Sequence, residues 1–112
     1  MLPKSARISS EREIRKTIKN KQYESSSPLL YLVANDNSLD GSRLAVVIPK
    51  KIGKAVVRNR LRRVFQAAFS EIRHKMAKNI DIVLFPRRAS VGFNLKQAAE
   101  CLGQSIKRIR FA

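Results

Sequence analysis

The stretch Val57-Arg-Asn-Arg-Leu-Arg-Arg-Val-Phe-Gln-Ala-Ala-Phe-Ser-Glu-Ile72 decides how the rest of this chain is read. Val57, Leu61, Val64, Phe65, Ala68, Phe69, Ile72 and then Met76 recur at helical spacing. On a helical wheel they fall within about 140° of arc, the width of one buried stripe. Asn59, Arg63 and Gln66 lie on the far side, and Arg60 and Arg62 flank the stripe from opposite edges. Arg58 falls near the margin, in the first turn, where a long side chain can swing clear of the core. Four arginines, Arg58, Arg60, Arg62 and Arg63, stand within six residues. Like charges that close destabilise a helix by a few tenths of a kcal/mol per pair, so a partner outside the chain is expected to offset them.

Upstream, Arg43-Leu-Ala-Val-Val-Ile48 reads as a strand stopped by Pro49, and Lys50 to Lys54 connects it to the helix. Leu29-Leu-Tyr-Leu-Val33 reads as another strand, apolar throughout and so covered on both faces. Asn35 to Gly41 is a loop by composition, and Ser25-Ser-Ser-Pro28 breaks any helix. Ser10-Glu-Arg-Glu13 predicts a capping box and a short helix to about Lys19. Ile14 and Ile18 share its thin apolar face, and Arg12, Arg15, Lys16 and Lys19 make the remainder basic.

Downstream, Lys78-Asn79 ends the central helix, and Ile80 to Phe85 is a strand closed by Pro86. Asn94 with Gln97 predicts a second cap. The last helix carries Leu95, Ala98, Ala99, Leu102, Ile106 and Ile109 on one face and ends in the basic Lys107-Arg-Ile-Arg110. The order helix, strands, helix, strand, helix predicts an α+β fold. One domain over residues 1–112 would pack a small sheet under helices as an α/β sandwich. The strand–helix–strand centre suggests a crossover between parallel strands, right-handed by the general rule.

At 112 residues, 44% of them hydrophobic, the chain is long enough for a core without staples. Its 24 Lys and Arg against 8 Asp and Glu leave +16, which attracts polyanions; nucleic acid leads and an anionic membrane surface follows. Cys101 is the single cysteine and fits a small helix residue in a reducing cytosol. No apolar run is long enough to span a membrane, and Met1-Leu-Pro-Lys4 has no secretion-signal block.

Groups for protein catalysis are missing. His74, the only histidine, lies on the polar side of the central helix between Arg73 and Lys75. Asp36 and Asp40 share a loop without a companion histidine, which reads as loop solvation rather than a metal site. No CxxC, HExxH or phosphate-cradling glycine loop occurs, and Gly53 reads as a turn residue before the helix. The chain offers instead a continuous basic segment: Lys50, Lys51, Lys54, Arg58, Arg60, Arg62 and Arg63. No Asp or Glu occurs between Gly41 and Ser70 to compensate it. Loop amides, a helix N-terminus and arginine forks all suit phosphate oxygens. Asn59 adds a donor and an acceptor for a base edge or 2′-hydroxyl. Of the aromatics, Phe65 and Phe69 belong to the core stripe, whereas Tyr31 is open to either a groove or the core.

Val47-Ile-Pro-Lys-Lys-Ile-Gly-Lys-Ala-Val-Val-Arg-Asn-Arg-Leu-Arg-Arg63 closely resembles the signature of the protein subunit of bacterial ribonuclease P. The resemblance covers nearly the whole chain, most specifically Lys50 to Arg63. It implies an RNA-binding subunit of a ribonucleoprotein endoribonuclease that removes the 5′ leader from precursor tRNA. The RNA subunit would be the catalyst, with Mg2+ as its metal. The protein would supply no catalytic residue, bind no cofactor or metal, need no protein partner and work in the cytoplasm. Arg58, Asn59 and Arg60 match the family's Arg-Asn-Arg motif and would face the catalytic RNA, with Lys50, Lys51, Lys54, Arg62 and Arg63 on the same surface. The family's leader cleft falls on Ile14, Ile18 and Tyr31, with Tyr23 nearby. The family also implies a left-handed crossover through the central helix, against the general rule.

Three positions depart from the pattern. Ile14 and Ile18 stand where phenylalanines are frequent, leaving leader bases less to stack on. Lys21 stands where glycine is common, and Pro49 replaces a usual serine. Two other readings differ in function. A general basic nucleic-acid binder, ribosomal or DNA-associated, would not distinguish precursor from mature tRNA. A self-sufficient nuclease would cleave without added RNA.

Overall fold

The computed structural model describes residues 2–76 and 78–109. Its elements are helix α1 (Glu11–Lys19), strands β1 (Tyr23–Ser26), β2 (Leu30–Asp36) and β3 (Arg43–Val46), helix α2 (Ala55–Ile72), strand β4 (Ile80–Pro86) and helix α3 (Leu95–Lys107). Short 3-10 turns at Lys4–Ala6, Lys50–Ile52, Arg73–Lys75 and Arg88–Ser90 join them. The sheet runs β1-β2-β4-β3. β1 pairs antiparallel with β2 and β2 with β4, while β3 lies parallel to β4. The sheet is therefore mixed, and the β3–α2–β4 connection is the expected parallel crossover.

Alternation along the strands makes two cores. On one face Leu30, Leu32, Ala34, Leu44, Ile80, Ile82 and Leu84 pack against Leu61, Phe65, Ala68 and Phe69 of α2 and Ala98, Cys101 and Leu102 of α3. Val64, Ile72 and Met76 complete that cluster from its margin, as the stripe predicts. On the other face Val33, Ala45 and Val83 meet Ile8, with Ile14, Tyr31, Val47 and Phe85 half-buried around them. The apolar run in β2 is thus covered on both sides.

The caps follow the sequence in part. Asn94 and Gln97 make a full reciprocal box at the start of α3. At α1 the Ser10 hydroxyl accepts from the Glu13 amide, but the Glu13 carboxylate turns away to accept from Arg43 Nη1 at 3.2 Å. The central helix ends earlier than expected. Its last turn tightens to 3-10 at Arg73–Lys75, and Arg73 Nε donates to the Ser42 carbonyl at 2.9 Å. Its guanidinium lies so close over Gly41 that a Cβ there would collide with Nη2. Strand β1 has no counterpart in the sequence reading. Tyr-Glu-Ser-Ser carries little strand preference, and pairing with β2 alone makes it extended. The basic end predicted for α3 falls partly on Arg110, outside the described residues.

Phe65→Ala should cost about 3–5 kcal/mol of stability in urea unfolding, because its ring is wholly buried between α2 and the sheet. Val56→Ala, on the same helix but 76% exposed, should stay within about 0.5 kcal/mol.

Candidate nucleic-acid interface

Helix α1 covers only part of the second face. Arg43 on β3 grips Asp81 on β4 with two bonds, Nε to Oδ1 at 2.9 Å and Nη2 to Oδ2 at 2.6 Å. The same guanidinium reaches Glu13 of α1. Two strands away, Asn35 Nδ2 donates to the Thr17 carbonyl at 3.3 Å. α1 therefore crosses the strands at the Arg43–Asp81–Asn35 row, where β4 begins. The bond to Asp81, outweighing partial burial, raises the Arg43 pKa still further, so the guanidinium keeps its charge. The other end of the face stays open. There Tyr31, Phe85, Pro86, Pro49, Lys51, Ile52, Arg87 and Arg88 line a groove of about 490 Å³.

Tyr31 forms the floor of that groove with Phe85, ring centroids 5.7 Å apart and planes tilted by 33°. Its hydroxyl donates to Glu24 Oε2 at 2.7 Å and accepts a longer bond from Lys21 Nζ at 3.5 Å. Holding the proton for Glu24 raises the Tyr31 pKa. The same bond lowers that of Glu24, and the Tyr31 bond followed by the Glu24 charge raises that of Lys21.

Of the four expected cleft residues, the fold unites Ile14 and Tyr31 in one cluster. Ile18 follows on the same helix, 37% exposed. Tyr23 belongs elsewhere and its assignment is corrected. It pairs with Ala34, so its side chain shares the α2–α3 face of the sheet and packs against the main core. Its hydroxyl donates to the Asp36 carboxylate at 3.0 Å. A side-chain period of two forbids residues 23 and 31 from sharing a face in this register.

The basic segment surrounds the same end of the molecule. Lys50, Lys51, Lys54, Asn59, Arg60 and Arg63 are exposed, while Arg58 and Arg62 are half-buried. Arg58 Nε donates to the Gly53 carbonyl at 3.1 Å, bracing the loop that leads into α2. Arg62 Nη1 donates to Asn59 Oδ1 at 3.0 Å on the exposed side of α2. Arg60 leans across to the Phe93 carbonyl through a 3.5 Å contact. Among the described residues no acidic side chain pairs with Arg58, Arg60, Arg62 or Arg63. No side chain caps the start of α2, whose first turn holds no acid. The amides there and the helix dipole add to the field of the cations.

The sequence reading missed Arg87 and Arg88. Arg88 Nη2 donates to the Lys51 carbonyl at 2.7 Å and ties the end of β4 to the basic loop. Arg87 binds Ser26 and Ser27 at the tip of the β1–β2 hairpin. The available signal was two arginines directly after a strand-closing proline; their place beside Lys51 depends on β3 and β4 being neighbours.

Residues 2–110 match the family model described as Ribonuclease P. The chain belongs to that family. A ribonuclease P protein component from Syntrophomonas wolfei is 39% identical over 93 residues, spanning 82% of this chain and 76% of that one. Another, from Clostridium novyi, is 28% identical over 96% of both. The solved ribonuclease P protein from Thermotoga maritima superposes with a TM-score of 0.82 at 27% identity, over 94% of this chain and 98% of that one. The chain thus serves as the protein component of ribonuclease P, a tRNA-processing ribonucleoprotein, alongside that enzyme's RNA subunit.

The chain's other reactive groups stay apart from this surface. Cys101 is buried between α3 and the core, and burial pushes its thiol pKa up. His74 is exposed on the 3-10 turn after α2. Among the described residues no three His, Cys, Asp or Glu side chains gather to hold a metal, and no helix is long and apolar enough to cross a membrane.

The Tyr31–Glu24 bond has a titration signature. In a Tyr23→Phe background, phenolate absorbance should report Tyr31 ionising above the ordinary phenol range, and Glu24→Ala should move that midpoint down. Since the folded value lies above the free one, the bond's contribution is fully present below the free value and fades as pH rises through the folded one. An unmoved midpoint would show that Glu24 does not hold the hydroxyl.

Proposed function

We propose that the protein is a non-catalytic subunit that binds the ribonuclease P RNA with the Lys50–Arg63 surface and holds the 5′ leader of precursor tRNA in the cleft floored by Tyr31. One observation carries this reading: a cationic end, free of ion pairs among the described residues, runs through Lys51 and Arg88 into an open cleft. Phosphates of two RNAs brought together repel each other, and a cationic surface touching both screens that repulsion. Precursor binding and magnesium affinity should strengthen together.

The hydrolysis belongs, on this reading, to the RNA. Several of the protein's carboxylates are already engaged within the chain. Asp81 is held by Arg43 and Asn37, Glu13 by Arg43, Glu11 by Arg15, and Glu24 by Tyr31 and Lys21. On this reading the magnesium is held by the RNA. The arginines of α2 face that RNA, whose phosphates neutralise their mutual repulsion. No further protein partner is required, and the site of action is the cytoplasm. A general nucleic-acid binder would use the charged end alone and leave the cleft without a task.

Purified protein mixed with a bacterial ribonuclease P RNA should restore 5′ maturation of precursor tRNA at low magnesium, and the protein alone should give none. Arg60→Ala should weaken association with the RNA and flatten the dependence of log K on log salt by about 0.7–0.9, one phosphate contact. An unchanged affinity and slope would remove Arg60 from the interface.

A further inference from the structure

The cleft is electrostatically lopsided. Along the ends of the strands its rim is cationic, with Lys51, Arg87 and Arg88 exposed and, among the described residues, free of ion pairs. Their hydrogen bonds to Ser26, Ser27 and the Lys51 carbonyl fix the guanidinium planes without cancelling their charge. On the β1 side the arrangement reverses. Glu24 shares its sheet face with Tyr31, as its pairing with Val33 requires. It forms an ion pair with Lys21 at 3.5 Å and accepts the Tyr31 proton at 2.7 Å. The charge of Lys21 is thereby neutralised. The Tyr31 oxygen, its proton committed to a carboxylate, becomes a stronger acceptor. Lys21 holds it only at 3.5 Å, a bond that an incoming donor can displace.

A single RNA strand brings two kinds of edge, an anionic backbone and bases that offer donors, acceptors and stacking faces. Phosphates match the Lys51–Arg87–Arg88 rim and find no net attraction at the Glu24–Lys21 pair. A base resting on the Tyr31–Phe85 floor directs its edge toward two acceptors, the Tyr31 oxygen and the Glu24 carboxylate. Amino groups of adenine, cytosine and guanine satisfy such acceptors; uracil has a single N–H and two carbonyls.

We propose that Glu24 is a specificity-determining residue of the cleft: with Lys21 it closes the β1 side to phosphate, sets the strand's backbone along Lys51, Arg87 and Arg88, and favours an amino-bearing base at Tyr31. The inference rests on the leader reading above and adds to it a residue that the chain's basic composition hides.

The test uses the reconstituted holoenzyme with three RNAs: precursor tRNA with an adenine-rich leader, the same with a uracil-rich leader, and leaderless tRNA. The wild-type complex should favour the adenine-rich leader about three- to ten-fold, the worth of one hydrogen bond. Glu24→Gln keeps the shape and an acceptor for Tyr31 but removes the charge. It should cut that preference to about two-fold, since a neutral acceptor bonds less strongly. It should also steepen the salt dependence by about 0.7, because Lys21 is released to a phosphate. Adding Lys21→Ala should return the slope to the wild-type value. Arg88→Ala should flatten the slope equally for both leaders. If the wild-type complex binds leaderless tRNA as well as precursor, the leader reading falls and this inference with it. If leader dependence is present but Glu24→Gln keeps both the wild-type preference and slope, the leader reading stands and the role of Glu24 falls.

Discussion

The two-pronged bond between Arg43 and Asp81 sets where everything else on the second face can lie. It joins β3 to β4 at the end where β4 begins, and the spare nitrogen of the same guanidinium draws Glu13 and hence α1 to that end. Both side chains are largely shielded from solvent, so losing either partner would strand the other in a poor dielectric. A nine-residue helix anchored there cannot also cover a seven-residue strand along its full length. The uncovered remainder is the Tyr31–Phe85 cleft.

That anchoring also separates charge. Glu13, Asp36 and Asp81 gather at one end of the sheet, where each has a cation or a hydroxyl to hold. The crossover through α2 starts at the other end, so the helix begins with its positive pole among Lys50, Lys51 and Lys54. A net charge of +16 thus becomes a directed field instead of a uniform shell. Polyanions are steered to the end that carries the open cleft. On the proposed reading, recognition of RNA depends on two features in one place: cations free of ion pairs among the described residues, and an aromatic floor that no helix covers.

Much of this was legible before any coordinates. The α2 stripe, the α3 cap, β2, β3 and β4 all come from short-range patterns, and those patterns survive because burial in the fold agrees with local preference. β1 was not legible, since Tyr-Glu-Ser-Ser becomes a strand only through hydrogen bonds supplied by β2. Tyr23 was misplaced for the same reason: without knowing the β1–β2 register, its face could not be assigned. Arg87 and Arg88 escaped notice because their partners, Lys51 and the 26–27 turn, are distant in sequence. Ile14 stands half-buried in the cluster that also holds Tyr31, a placement that depends on how α1 is anchored.

The order of residues by itself determined composition, helical stripes and the unbroken run of cations, because charge and periodicity are properties of neighbours along the chain. It thereby determined that a polyanion is the partner. Only the tertiary structure decided which sheet face each tyrosine serves and that Glu24 and Lys21 meet at Tyr31. It also decided that the cationic loop borders the cleft. Those relations come from strand register and from a crossover that brings residues thirty or more apart into contact, and no local pattern encodes either.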